Sequence, residues 1–370
     1  MKKIVNIIVI CGLFIQSIIA IDFGGLLNSS SGFNIHNKSA ELDFSEVLDA
    51  SAYLKVPFTK DGQSYFATEF LYRMEYLSKK VHNYIDIPLL KFQYSQPIGD
   101  TYIDLALGRF YTSDATGKVF SQTSDGFAGS FTSQKFNFGV YIGYTGLVNS
   151  KLTGMTTSVT YNVEFPSFYE FSAPYLVTSL SASAPFLFLG QSLGADIWGF
   201  IGLQGNKSHH IYGSLTLTGP LYAHLYHNTA LTLAGNFREQ DKKFGALTST
   251  DITYYFNTLD MALGGKIAYA SKDFTTITST TGTVTAMPWN DIFISGITFT
   301  MVPIRPLFLG TEISAIFNGT HFDYKGVQLA STLRWNIFSD VSASVDGSQI
   351  FAKDINDWKT NITLKVAMSF

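Results

Sequence analysis

The chain closes on WKTNITLKVAMSF, residues 358–370, a stretch that alternates along its length. Trp358, Ile362, Leu364, Val366, Met368 and Phe370 share one parity; Lys359, Asn361, Thr363, Lys365 and Ser369 share the other, with Thr360 and Ala367 as the softer positions. Successive strand side chains point to opposite faces, so this period of two gives one apolar face and one polar, cationic face. Soluble sandwich strands average about 5–6 residues, whereas a tilted strand crossing a bilayer needs about 9–11. The stretch has the longer length.

The same pattern recurs upstream. Phe66, Thr68, Phe70, Tyr72, Met74 and Tyr76 oppose Ala67, Glu69, Leu71, Arg73 and Glu75; Ile103, Leu105 and Leu107 oppose Asp104, Ala106 and Gly108. Val327, Leu329, Leu333 and Trp335 oppose Gln328, Ala330, Thr332, Arg334 and Asn336. Charges take the face away from the apolar one, as they must if that face meets lipid, where a Lys or Arg at the midplane costs about 2–4 kcal/mol. A small soluble barrel fills its interior with apolar side chains, so this inversion predicts a polar, water-filled lumen. Phase breaks near Pro88, between Ile85/Ile87 and Leu90/Phe92/Tyr94, where a bulge is expected.

At 46% hydrophobic and 14% charged residues, the chain is too apolar to be disordered, and its 15% aromatics suit strands and membrane-rim girdles. Beyond residue 20 there is no apolar run approaching the roughly 18 residues of a spanning helix, so membrane residence requires a closed barrel. Lys2 and Lys3, the apolar run Ile4 to Ile19 and Ala20 read as a secretory signal peptide over residues 1–20. Cleavage there removes the single cysteine, Cys11, and excludes disulfides and thiolate metal sites from residues 21–370. A net charge of −3 with no basic tract gives no reason to expect nucleic acid.

Short connectors rich in Pro or Gly, such as Pro57 to Gly62 and Pro185 to Gly190, alternate with longer polar ones, such as Thr112 to Ser124, Val148 to Pro166 and Ser271 to Trp289. Short periplasmic turns and long extracellular loops produce this alternation in an up-and-down barrel. The intervening segments number about 18, which predicts an all-β transmembrane antiparallel barrel of one domain. Ser172 to Ala184 and Ile21 to Ile35 alternate poorly, leaving 16 strands, or 14 with an N-terminal plug, as alternatives.

The final Phe370, with Met368, Val366, Leu364 and Ile362 at every second position before it, resembles the C-terminal signature of bacterial outer-membrane β-barrels. That resemblance implies that these residues are the signal read by the barrel-insertion machinery. The segment from Gly108-Arg109 to Asp125-Gly126 is similar to a hairpin in porins of the alginate-export and related substrate-specific families, which implies that Arg109 and Asp125 lie near the extracellular mouth. By its own parity Arg109 faces outward, to reach the headgroup rim unless Gly108 turns it inward.

Simple hairpin registers about Lys79-Lys80 and Pro97-Ile98 set Glu69, Lys91 and Asp104 at one height on the lumen wall, with Asp49, Arg73 and Glu75 a step or two away. Such a belt selects solutes by charge, or else consists of ion pairs on a wet wall. Lys359 and Lys365, with Arg334, make a more cationic sector; Glu312 is a further lumen carboxylate that does not face Arg334. Either of the loops Val148 to Pro166 and Ser271 to Trp289 can fold inward as a constriction.

These readings predict a porin-type passive channel for small hydrophilic solutes in the bacterial outer membrane, with lipid around it, no catalytic residue, no metal and no cofactor. Resemblance to general porins implies a homotrimer. The alternatives are a fatty-acid-type transporter with a hatch from Ile21 to Ser39, a surface adhesin or structural barrel, and an outer-membrane hydrolase. The last rests on His227 and Thr229, which share the lipid-facing parity but have no evident orienting partner in the sequence.

Overall fold

The computed structural model describes residues 21–36, 42–77, 79–155, 168–203, 208–238, 241–257, 260–278, 288–352 and 358–370. The signal peptide expected over residues 1–20 lies outside the described residues. The strands are β1 (Asp22–His36), β2 (Leu42–Pro57), β3 (Tyr65–Leu77), β4 (Lys80–Ile98), β5 (Thr101–Ser113) and β6 (Ser121–Thr132). They continue with β7 (Asn137–Tyr144), β8 (Tyr175–Phe188), β9 (Gln191–Gly202), β10 (Ser208–Tyr222), β11 (Leu225–Arg238) and β12 (Asp241–Phe256). The last are β13 (Met261–Ala270), β14 (Ile292–Ile304), β15 (Leu307–Asn318), β16 (Tyr324–Asn336), β17 (Val341–Ala352) and β18 (Trp358–Ser369).

All are antiparallel neighbours in one 18-stranded sheet, and β1 closes the ring by pairing with both β18 and β2. Closure leaves the sheet no terminal edge strand, which an open sheet in lipid cannot achieve. Because Ile21 to Ile35 is a wall strand over nearly all its length, the alternatives with an N-terminal plug or hatch do not hold. Sixteen strands are likewise excluded, since Tyr175–Phe188 pairs on both sides as β8. Among the described residues no helix is long and apolar enough to cross a membrane.

Parity holds from strand to strand. Leu107, Ile142, Ile197 and Ile297 project outward and are 54–61% exposed, an apolar exterior that would be costly in water and is stable in hydrocarbon. Ile362, Leu364, Val366, Met368 and Phe370 lie on the same outer face, all exposed. The expected phase break is a register shift between the Leu71↔Asp86 and Glu69↔Leu89 pairs, flanking Pro88. Gln93, Asp196, Ser249, Ser314 and Gln328 are buried, and their strand parity is the inward one.

Candidate pore constriction

The barrel wall is interrupted on one side, and the interruption builds the site. β5 follows β4 only from Thr101↔Ile98 to Arg109↔Leu90, and β6 follows β7 only from Thr132↔Asn137 to Asp125↔Tyr144. β5 and β6 nevertheless stay paired with each other to Ser113↔Ser121. The hairpin Phe110–Ser124 therefore leaves the wall and crosses the lumen. Gly108 permits the departure: its φ is +118°, and a Cβ there would stand 2.0 Å from the Leu90 carbonyl oxygen.

The hairpin tip is held by hydrogen bonds and by burial. The Asp114 carboxylate accepts from the backbone N–H groups of Val119 (3.0 Å) and Phe120 (2.8 Å), which folds the tip back on itself. Ala115 N–H donates to Asp196 Oδ2 on β9 at 2.6 Å, and Lys118 Nζ reaches Ser249 Oγ on β12. The loop after β13 also turns inward: Ile277 and Thr278 N–H donate to the Val119 carbonyl at 3.0 and 3.1 Å. Phe120, Phe274 and Ile277, all fully buried, join Trp198, Phe200 and Tyr212 in an apolar cluster against the wall from β8 to β15. The passage is thereby narrowed from one side. Asp49, Arg73 and Asp346 on the opposite wall remain partly exposed to the lumen.

Sequence reasoning allowed the Ser271 to Trp289 loop to fold inward, and its described part does so. It read Thr112 to Ser124 as an ordinary surface loop. The overlooked signal was Val119-Phe120, an apolar pair inside a polar connector that only a buried tip would need. Of the Val148 to Pro166 loop, residues 148–155 are described: Asn149 bonds the Ile85 carbonyl in the wall gap, and Met155 packs against the buried apolar cluster.

The charged belt is rearranged relative to the simple register. Lys91 pairs with Ala67 and Gly108, Glu69 with Leu89, and Asp104 with Ser95, so the three do not share one height. The shift comes from the turns: β3 and β4 reverse at Leu77–Lys80 with a bulge at Pro88, and β4 runs through Pro97 to turn at Gly99, whose φ is +61°. Lys91 and Asp104 still line one recess of about 570 Å³ beneath the inward hairpin, together with Tyr141, Asp196 and Trp198. Lys91 has aromatic neighbours there, with Nζ 5.6 Å from the Phe110 ring centre and 5.8 Å from that of Tyr65.

Several other lumen charges are paired. Asp49 holds Arg73 in a two-pronged bond at 2.6 and 2.8 Å, and Glu75 lies opposite His82 on β4. Glu312 bonds Lys266 and not Arg334, which lies opposite Phe308. Lys365 meets Asp346 at 2.8 Å, so the sector with Arg334 and Lys359 is less cationic than its lysines suggest. Arg109 and Asp125 lie opposite each other on β5 and β6 and pair at 2.9 Å where the hairpin leaves the wall. Burial in the narrowed lumen holds the Lys118 ammonium below the ordinary lysine range and outweighs the attraction of Asp251 and Asp114, while the positive Lys266 acts in the same direction as burial.

His227 does have an orienting partner: its Nε2 lies 2.8 Å from Gln191 Oε1, and its Nδ1 lies 3.2 Å from Thr229 Oγ1. β11 is paired on both sides through this stretch, so its backbone N–H groups are committed to the sheet and offer no oxyanion pocket. Among the described residues no cluster of three or more His, Cys, Asp or Glu could hold a metal ion.

An apolar outside, a polar inside and loops that fold into the lumen define the architecture of outer-membrane porins. No protein-family profile and no curated protein sequence matches this chain. Solved structures do. Pseudomonas aeruginosa OpdQ superposes with a TM-score of 0.63 at 10% identity, covering 94% of this chain and 99% of that one. OccK3 (OpdO) of the same organism gives 0.63 at 7% identity over 97% and 98%, and OpdK with vanillate gives 0.60 at 10% over 94% and 99%. At such identities the likeness establishes the fold.

Proposed function

We propose that the chain is a porin-type channel of the bacterial outer membrane through which small hydrophilic solutes diffuse passively. The observation that carries this reading is the inward hairpin Phe110–Ser124, which narrows a polar lumen enclosed by a lipid-compatible exterior. A structural barrel or adhesin has no need of a buried, hydrogen-bonded constriction in its lumen. The architecture shared with OpdQ and OccK3 supports the same reading. Residues 1–20 act as the export signal, and the outward face ending at Phe370 is what the insertion machinery recognises. Lys91 and Asp104 in the recess, the paired charges Asp49, Arg73, Glu312 and Lys365, and Glu69, Glu75, Arg334 and Lys359 along the wall set its charge preference. Association into a homotrimer is compatible with this exterior.

The test is single-channel recording of the refolded protein, residues 21–370, in a planar bilayer, in KCl and then under a salt gradient. Stable ohmic steps are expected, with a reversal potential that moves when Lys91→Gln removes the recess cation. Absence of steps from protein verified as folded would overturn the channel reading.

A further inference from the structure

Where the constriction hairpin leaves the wall, one guanidinium joins every segment that borders the opening. Arg109 Nε and Nη2 grip both oxygens of Asp125 at 2.9 and 3.0 Å, across the base of the hairpin. Nη1 donates to Asp86 Oδ1 at 3.0 Å and lies 3.3 Å from both the Ile87 carbonyl and Tyr169 Oη. Nη2 also donates to the Leu147 carbonyl at 2.9 Å. These partners come from β4, from β6 and from the two described stretches of the β7–β8 connection. The side chain is only 11% exposed, and Asp86 only 3%.

The opening needs such a joint. From Lys80 to Leu89, β4 has a strand partner on the β3 side only, and the β7–β8 connection takes the other side: Ile85 N–H donates to the Phe168 carbonyl at 3.2 Å, and Asn149 Nδ2 to the Ile85 carbonyl at 3.0 Å. A cavity of about 290 Å³ lies at the seam, where the outward Phe70, Ile85, Ile87 and Leu90 meet the ion pairs. A planar fork with five N–H donors can satisfy two carboxylates and several carbonyls at once; an ammonium cannot. Without it, the buried Asp86 and the half-buried Asp125 would both lose their counter-charge.

We propose that Arg109 is a positioning residue of the channel: it latches the seam, and the latched seam holds the Phe110–Ser124 hairpin across the lumen. The inference rests on the channel reading for its conductance consequence, but hairpin position can be measured without it. Val119 at the hairpin tip is fully buried, and residues 21–370 contain no cysteine, so Val119→Cys is a single, silent reporter.

The experiment measures maleimide labelling of Val119→Cys in folded barrels, with and without Arg109→Gln, beside single-channel recordings of the same proteins without the reporter. Labelling is expected to be at least about tenfold faster with Arg109→Gln, and the channel larger or noisier. Arg109→Lys is expected not to restore the slow rate, because charge alone does not replace the fork. Asp125→Asn, which leaves the Asp86 contact, is expected to give an intermediate rate and serves if Arg109→Gln fails to fold. Wild-type labelling rates in folded Arg109→Gln and Asp125→Asn barrels would overturn the latch, whatever the conductance. Fast labelling in a barrel that never conducts would uphold the latch and overturn only the channel reading.

Discussion

Replacing Phe120 by alanine removes the side chain that docks the constriction hairpin onto the wall. The ring is fully buried, 5.2 Å from the Phe200 ring centre and 5.5 Å from that of Trp198. Truncating a buried Phe to Ala costs about 3–5 kcal/mol, a range that includes the additional attraction of ring pairs. The backbone bonds at Val119 and the Asp114 turn survive the substitution, so the lower end of that range applies. Since about 1.4 kcal/mol is a factor of ten, the ratio of docked to undocked hairpin should fall by about a hundredfold. The strand ladder is untouched, so the barrel should migrate as folded in a heat-modifiability gel. In single-channel recordings the variant should show a larger mean conductance with rapid fluctuations between levels. A folded Phe120→Ala barrel with the steps, noise and reversal potential of the wild type would refute the claim that this hairpin forms the constriction.

Other consequences test different links. Ile297→Arg puts a cation on the lipid face and should destabilise the barrel by about 2–4 kcal/mol in reversible unfolding from lipid, whereas Thr298→Arg, one residue on and beside Glu312, should be tolerated; equal losses would disprove the parity. As pH rises, Lys118 loses its proton below the ordinary lysine value of about 10.4, so the constriction loses positive charge and cation selectivity increases there; Lys118→Gln should abolish that part of the pH dependence of the reversal potential. Glu312→Gln leaves Lys266 without its carboxylate in a water-filled lumen, so stability should change by no more than about 1 kcal/mol while selectivity moves toward anions; an unchanged reversal potential would take this pair out of the ion path.

The barrel was legible in the sequence because its evidence is local. Which face of Phe66–Tyr76 or Ile362–Phe370 meets lipid follows from the period of two, and the bulge at Pro88 follows from a parity switch that any reader of the chain can locate. Heights on the wall were less legible, because a hairpin register depends on which residues make the turn. Counting back from Pro97-Ile98 when the chain reverses at Gly99 separated Lys91 from Asp104 by several positions in the ladder. Ile21 to Ile35 hid its role for a related reason: its many small and polar residues give a weak alternation, and only the pairing of Phe33 with both Phe44 and Ile362 shows it closing the ring.

What the sequence determined by itself is the solvent on each side of the sheet, since side-chain polarity and strand geometry are properties of consecutive residues. What only the tertiary structure decided is where the lumen narrows and what holds it narrow. Val119 meets Ile277, Ala115 meets Asp196, and Arg109 gathers Asp86, Asp125 and Leu147 from three separate stretches. Those contacts exist because an antiparallel ring brings distant strands to one height, and no spacing along the chain encodes that height.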